Sequence, residues 1–368
     1  MRIGYDAKRV FHNATGLGNY SRDLIRIMSA YYPDNQYFLF NPKPPVIDRL
    51  EWSGNMQMLM PRSFMDKKLP SLWRAKGVMK DINNLQLDIY HGLSGELPLG
   101  IENSKVKSIV TIHDLIFLRY PHLYSYIDRK IYTRKFKKAC VVSDKIIAIS
   151  QQTKKDIIHF FGIEESKIEV VYQGCHQVFK TLYLDNQIES VRKKYNLPAE
   201  FVLNVGTIEE RKNAFTIVKA LKGTEIPLVL VGRKTSYAQQ IVHFIENNHM
   251  ESQVHFLEGL DLKELAILYQ AAKVFIYPSI FEGFGIPIIE ALFSRTPVIT
   301  NSKGVFPEAA GPYSTYLDDV MDENEMREKI LDVWSRDMSE EIEKSFSFAR
   351  QFSDIEIAQK LHQLYENV

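Results

Sequence analysis

The densest run of chemistry-bearing residues in the sequence is Ser279-Ile280-Phe281-Glu282-Gly283-Phe284-Gly285-Ile286-Pro287-Ile288-Ile289-Glu290-Ala291, directly after the apolar stretch Lys273 to Pro278. Its order is that of a strand, a glycine loop and a helix start. Pro287 suits a first helical turn, and Gly283 and Gly285 let the backbone come close to a ligand, so that N–H groups would face an anion or a hydroxyl. Glu282 falls in the loop and Glu290, eight residues on, about a turn inside the helix. A carboxylate so placed can accept hydrogen bonds from a pair of hydroxyls, such as a ribose presents. Taken singly, Glu282 would be a solvated loop acid and Glu290 an acid complementing the helix dipole. The glycine loop and the spacing favour a binding site over that reading. A second group is Arg211-Lys212, at the end of Asn204-Val205-Gly206-Thr207-Ile208-Glu209-Glu210-Arg211-Lys212-Asn213. Cations at a helix start run against the dipole unless an anion binds there. Arginine would hold phosphate oxygens bidentately and lysine would act as a point charge. In a third group, Val110-Thr111-Ile112-His113-Asp114-Leu115, a histidine and an acid close an apolar strand. By itself a strand-end histidine is more often packed and hydrogen-bonded than catalytic.

The elements that must position these groups follow from alternation. Short β-branched and aromatic runs lie at Arg2 to Asp6, Gln36 to Asn41, Met56 to Met60, Asp88 to His91, Lys107 to His113, Lys145 to Ser150 and Ile168 to Tyr172, with helical patterns between them. A second series runs through Phe201 to Gly206, Pro227 to Gly232, Gln253 to Glu258, Lys273 to Pro278 and Pro297 to Thr300. Such alternation predicts βαβ units in two parallel sheets, an α/β class with two doubly wound, Rossmann-like domains. Ligands of such sheets bind at the carboxyl ends of the strands, where strand order reverses, so the expectation is a cleft between two domains. The boundaries expected are residues 1–180 for the first domain and 181–350 for the second. Helical spacing of Ile355, Ala358, Leu361, Leu364 and Tyr365 makes 351–368 an amphipathic helix, expected to pack back on the first domain.

With 368 residues, 45% hydrophobic and 25% charged, the chain suits two domains, and its longest apolar runs fall short of a membrane span. The N-terminus lacks the pattern of a signal peptide, which predicts a cytoplasmic protein. Two cysteines, Cys140 and Cys175, are too few for a disulfide framework. The net charge of +1 conceals an asymmetry: residues 1–180 hold 27 basic and 17 acidic residues, the remainder 19 and 28. A basic half suggests an anionic surface or substrate. Six cations between Arg129 and Lys138 and the mixed basic and apolar region from Met65 to Lys80 read as an interfacial surface for anionic lipid. A nucleic-acid partner is not expected, because the chain lacks a reading module.

The run from Glu282 to Glu290 resembles the glutamate-x7-glutamate motif of retaining GT-B glycosyltransferases of family 4, also known as glycosyltransferase group 1, and the likeness extends over nearly the whole chain. The resemblance implies that Glu282 contacts hydroxyls of the donor sugar, that Glu290 holds the nucleotide ribose, and that the loop amides at Phe284, Gly285 and Ile286 serve the sugar or diphosphate. The segment with Gly206, Thr207, Arg211 and Lys212 is similar to the family's phosphate-binding segment; many relatives carry arginine where Thr207 stands, so that Arg211 would take over its role. Thr15-Gly16-Leu17-Gly18-Asn19-Tyr20-Ser21 resembles the N-terminal glycine loop, implying that Gly16 and Gly18 close over the diphosphate and acceptor. Without the family context these glycines would be a helix-start loop; a dinucleotide fingerprint is opposed by the long Asp6 to Gly16 connection and by Ser21 in place of a third glycine. The likeness also gives His113 a positioning role beside the transferred sugar, and puts Leu260, after the strand Gln253 to Glu258, where relatives receive the base.

What the resemblance implies is transfer of a hexose from a nucleoside-diphosphate sugar to a glycan or lipid-linked acceptor in cell-surface polysaccharide synthesis. Overall likeness to bacterial cell-surface mannosyltransferases makes mannose from GDP-mannose the expected donor. Glu282, His113, Arg211 and Lys212 form the expected catalytic set. No Asp-x-Asp signature occurs, so no metal and no separate cofactor is expected, and the place of work is the cytoplasm at the inner face of the membrane. The rival readings are a GT-B nucleotide-sugar epimerase and a non-catalytic sugar-nucleotide-binding protein.

Overall fold

A computed structural model describes all 368 residues, and its contacts divide the chain into two compact units: Met1–Gln173 with Asp354–Val368, and Gly174–Ser353. The first unit is built on seven strands, β1 (Arg2–Asp6), β2 (Gln36–Phe40), β3 (Met56–Leu59), β4 (Ile89–Gly92), β5 (Lys107–Ile112), β6 (Lys145–Ala148) and β7 (Ile168–Val170). They pair in the order β3-β2-β1-β4-β5-β6-β7, every pair parallel. Strand order reverses at the β1/β4 pair, where Ile3 stands opposite Ile89 and Tyr5 opposite His91. β4, at this reversal, is buried along all four of its residues, the polar His91 included.

The second unit carries β8 (Val202–Val205), β9 (Leu228–Val231), β10 (Val254–Leu257), β11 (Val274–Tyr277), β12 (Val298–Asn301) and β13 (Thr315–Leu317), ordered β10-β9-β8-β11-β12-β13 and again parallel throughout. Here the reversal falls between β8 and β11. The sequence pattern misses β13, because this edge strand has three residues and buries only Leu317 fully. Several strands stop short of their apolar runs. His113, for example, lies one residue beyond β5, and its carbonyl accepts a hydrogen bond from Thr153 Oγ1 at 3.1 Å.

The division between units falls at Gln173 and Gly174 instead of residue 180, because the turn Gln177–Lys180 packs its buried Phe179 edge-on against Tyr269, 5.7 Å between ring centres. At the other end Phe352 stays with the second unit, stacked edge-on against Phe284 and Phe348, so the return to the first unit begins at Asp354 and not at 351. The helix Asp354–Glu366 then lies against the helix Gly16–Tyr31, with Asp354 Oδ2 2.7 Å from Arg26. It buries Ile357, Ala358, Leu361, Leu364 and Tyr365, whereas Ile355 is exposed. The region from Met65 to Lys80 is not one helix. It breaks into Phe64–Lys68, Pro70–Leu72, a π-helical turn Trp73–Gly77 and the start of Val78–Asn84. Trp73 is buried at 2% exposure, with its indole N–H donated to Asp81 at 3.0 Å, so it is withdrawn from any surface. No helix is long and apolar enough to cross a membrane.

Candidate active site

In the second unit the loops after β8 and β11, the two strands at the reversal, are tied together through their backbones. Ile280 N donates to Arg211 O at 2.9 Å, and Arg211 Nη1 donates to Phe281 O at 3.0 Å. Gly206 leaves β8 at φ 150°, a backbone conformation that residues with a side chain rarely adopt, and the Lys212 stem lies over it at ordinary contact distance. Thr207 continues that turn. Asn213, at φ 58°, reverses the chain into the helix Ala214–Leu221, and its side-chain amide is fixed on Val320 O at 2.6 Å. Arg211 and Lys212 therefore sit in a 3-10 turn just before a helix, as the dipole argument requires of an anion site.

Four donors converge on one carboxylate oxygen, Glu282 Oε1: Arg211 Nη1 at 2.6 Å, Lys212 Nζ at 2.5 Å, Ser279 Oγ at 2.8 Å and Tyr277 OH at 3.1 Å. Lys212 also donates to Tyr277 OH, and Arg211 reaches Glu209 at 2.7 Å. Glu282 Oε2 makes no hydrogen bond, which leaves it open to a hydroxyl. Burial pushes the Glu282 carboxyl up, but Lys212 and Arg211 outweigh burial and hold it below the usual range. For Lys212 burial wins, and its ammonium sits below the ordinary lysine value although Glu282 favours the charge. A second anion brought to Lys212 would favour that charge further.

Glu290 has another environment. It lies in the helix Ile286–Phe293, which starts at Gly285 with φ 121° and carries Pro287 in its first turn. Its Oε2 accepts from Tyr269 OH at 2.9 Å. Burial raises its carboxyl to about 7, the tyrosine hydrogen bond opposing only part of that shift. The Phe284 ring is core, packed on Phe352, so its side chain is withdrawn from a ligand. Leu260, half-buried, follows β10 on the same carboxyl edge of the sheet.

The remaining candidates belong to the first unit. His113 Nε2 donates to Leu93 O at 2.9 Å, and burial lowers its pKa to about 4, so the ring is neutral with the proton on Nε2. Tyr20 stacks edge-on against it at 4.6 Å. Tyr20 comes from the helix of the glycine loop, which the structure thus joins to His113. The two glycines of that loop differ. A methyl group at Gly18 would fall 1.8 Å from Asn13 O, while one at Gly16 would meet nothing within 4 Å. The Gly18 amide is already satisfied by Thr15 O at 2.9 Å and Asn13 Oδ1 at 3.1 Å, so Gly18 shapes the loop and offers no free donor.

Sequence reasoning misses Tyr277, Ser279 and Tyr269, the neutral partners of the two glutamates. Tyr277 and Ser279 were within reach of a pattern argument, as polar residues at the end of β11; Tyr269 carries no signal beyond an aromatic at helical spacing. Also missed is a buried chain in the first unit: Tyr5 OH to Tyr365 OH at 3.2 Å, Tyr365 OH to His91 Nδ1 at 2.7 Å, His91 Nε2 to Thr111 Oγ1 at 2.8 Å and Thr111 Oγ1 to Tyr20 OH at 3.1 Å. It links the C-terminal helix to the ring that packs on His113.

The chain matches two family models, glycosyl transferases group 1 over residues 187–347 and glycosyltransferase family 4 over residues 36–176. Among curated relatives it is 31% identical to the O-antigen chain mannosyltransferase RfbU of Salmonella typhimurium over 56% of either chain. It is 25% identical to the O-antigen chain mannosyltransferase B of Escherichia coli over 84% of this chain and 85% of that one. The Escherichia coli serotype-specific mannosyltransferase WbdA is 27% identical, with 31% of its length spanned. Among solved structures, a glycosyltransferase from Rickettsia africae superposes with a TM-score of 0.78 at 18% identity, covering 100% of this chain and 98% of that one. A sucrose-phosphate synthase from Thermosynechococcus elongatus gives 0.78 at 20% identity, with 100% and 98% covered. These likenesses show the fold, two parallel-sheet domains of the GT-B class.

Proposed function

The chain belongs to the group 1, family 4 glycosyltransferases, whose two matching models between them span most of its length, and from that premise we propose a retaining transfer of mannose from GDP-mannose to a glycan or lipid-linked acceptor of cell-surface polysaccharide. The mannosyltransferase names of the curated relatives support the sugar. The observation that carries the mechanism is the convergence of four donors on Glu282 Oε1. A carboxylate neutralised by two cations is a weak nucleophile, so Glu282 acts by accepting a sugar hydroxyl at Oε2. Arg211 and Lys212 stabilise the charge that grows on the leaving diphosphate. In the transfer the bond from the anomeric carbon to the phosphate oxygen breaks and its electron pair leaves with GDP. The acceptor oxygen bonds to the same face, and its proton passes to the departing phosphate oxygen. No step calls for a metal. Neutral His113, its Nδ1 unprotonated, accepts from a hydroxyl and orients the substrate, and Glu290 with Tyr269 holds the ribose. The excess of basic residues in the first half of the chain supports a place of work at the inner face of the membrane, against anionic lipid.

Thermal denaturation with a panel of nucleoside diphosphates and their sugars tests the reading, since a ligand of the native state raises Tm. GDP and GDP-mannose should each give a clear upward shift, without added divalent metal. A flat response to every nucleotide would overturn the reading, and a preference for UDP would overturn the choice of donor.

A further inference from the structure

The buried chain from Tyr5 to Tyr20 draws one residue from each of five elements of the first unit: Tyr5 from β1, Tyr365 from the helix Asp354–Glu366, His91 from β4, Thr111 from β5 and Tyr20 from the helix Gly16–Tyr31. Tyr5, His91 and Thr111 are 0% exposed and Tyr365 is 3% exposed. Apolar side chains of the same shape would cost no more to bury, so stability alone does not account for polar groups here. What a continuous hydrogen-bonded file adds is a single fixed arrangement.

His91 sets the sense of that file. Burial, with His113 close by, lowers its pKa to about 3, so the ring is neutral and carries one N–H. The protons of Tyr365, His91 and Thr111 all find acceptors only if every donor along the file points the same way. Loss of one oxygen therefore loosens the groups on both sides of it. At the far end Tyr20 OH is tied to Thr111 Oγ1 at 3.1 Å, while the Tyr20 ring meets the His113 ring edge-on at 4.6 Å and 88°. The Nε2 bond to Leu93 O at 2.9 Å directs one nitrogen of His113, and the edge-on contact fixes the tilt of its plane.

We propose that Tyr365, His91, Thr111 and Tyr20 are positioning residues of the transfer: through them the C-terminal helix fixes the Tyr20 ring, and with it the direction in which His113 Nδ1 faces the sugar. The role of His113 rests on the transferase reading, whereas the coupling of Tyr365 to His113 is a property of the first unit alone. Neither Tyr365 nor His91 needs to touch the substrate, because a misplacement of about 1 Å at the reacting centre slows a chemical step by up to about 100-fold.

Tyr365→Phe and Tyr20→Phe each remove one oxygen and keep the ring, so they test the file with little change of packing. In the full chain labelled with ¹⁵N-histidine, the imidazole nitrogens of His113, assigned by their loss in His113→Asn, should shift in both variants. Those of His243, exposed in the second unit, should stay where they are. Turnover is read as GDP released from GDP-mannose in water: the bond from the anomeric carbon to the phosphate oxygen breaks, a water oxygen bonds to that carbon, and its proton passes to the phosphate. In each variant kcat should fall about tenfold while KM for GDP-mannose stays near the parent's. Tyr365→Phe added to His113→Asn should lower kcat no further, because the file acts through His113. Thr111→Ser, which keeps the hydroxyl, should retain the parent's kcat, and Thr111→Val should lose it. Unmoved His113 signals overturn the proposal, as does an unchanged kcat in both tyrosine variants, a double-variant loss equal to the product of the single losses, or equal losses in Thr111→Ser and Thr111→Val. The nitrogen signals need no substrate, so a parent chain that fails to bind GDP in calorimetry would sink the transferase reading and still leave the coupling to be decided by them.

Discussion

Glu282 and Glu290 stand eight residues apart on one loop and helix, yet their surroundings drive them in opposite directions. Glu282 sits among two cations and two hydroxyls and is held below the usual carboxyl range. Glu290 has a single phenol for company and is pushed up to about 7 by burial. Paired carboxyls whose environments separate their titration are the mark of a divided task. The first is a permanent anion that organises cations while keeping one oxygen open. The second is a carboxyl on the edge of ionisation, whose bonding to a pair of hydroxyls improves once its proton has left. Equal spacing in sequence therefore carries unequal chemistry, and the difference comes from Arg211 and Lys212, some seventy residues earlier in the chain.

The comparison breaks most severely at Lys212. Lys212→Ala should lower kcat by about 10²–10³-fold, the usual loss when one charge stabiliser of a transition state is removed. Turnover at saturating donor is the measurement, and a near-normal rate would remove Lys212 from the leaving-group role. Next comes Glu282→Gln, where two effects part company. Loss of the anion leaves Arg211 and Lys212 without their shared partner, so GDP should bind more tightly, by up to about tenfold. Transfer should fall by roughly 10- to 100-fold as the sugar hydroxyl loses its ionised acceptor. Weaker GDP binding in this variant would mean that Glu282 orients the cations instead of competing for them.

The sequence made the sheets legible because parallel strands buried on both faces read as continuous apolar runs, as Lys273 to Pro278 does for β11. It missed β13, where Thr315 and Tyr316 are half-exposed and no such run exists. Glu282, Glu290, Arg211 and Lys212 were legible from glycine loops and from cations at an unfavourable helix start. Which oxygen of Glu282 the cations take was not, since that depends on how the loops after β8 and β11 meet. The exchange of Ile355 for Ile357 in the terminal helix has a similar cause: both fit an amphipathic stripe, and only packing against the helix Gly16–Tyr31 decides between them. The ion pair of Arg74 with Asp6, at the end of β1, was invisible because the two residues are 68 apart in the chain and meet only in the fold.

Glu290→Gln should have the smallest effect on transfer, less than about tenfold, since an amide can still accept and donate at the ribose. Its clearest signature is in stability against pH. Native Glu290 keeps its proton to about pH 7, whereas an ordinary glutamate releases it near 4.5. The native state thus binds the proton more tightly, so the stability this group contributes is complete below pH 4.5, declines between 4.5 and 7, and is lost above. The whole change amounts to about 3 kcal/mol. Glutamine has no proton to lose, so the variant should gain on the parent as pH rises through that window and hold a constant margin beyond it. Denaturant unfolding of both chains from pH 5 to 8.5 measures the margin, and GDP, which would be held better by the ionised form, should bind the parent more tightly at pH 8 than at pH 6. A margin that stays flat across the window would mean that Glu290 titrates normally, and the two carboxyls would then differ in position alone.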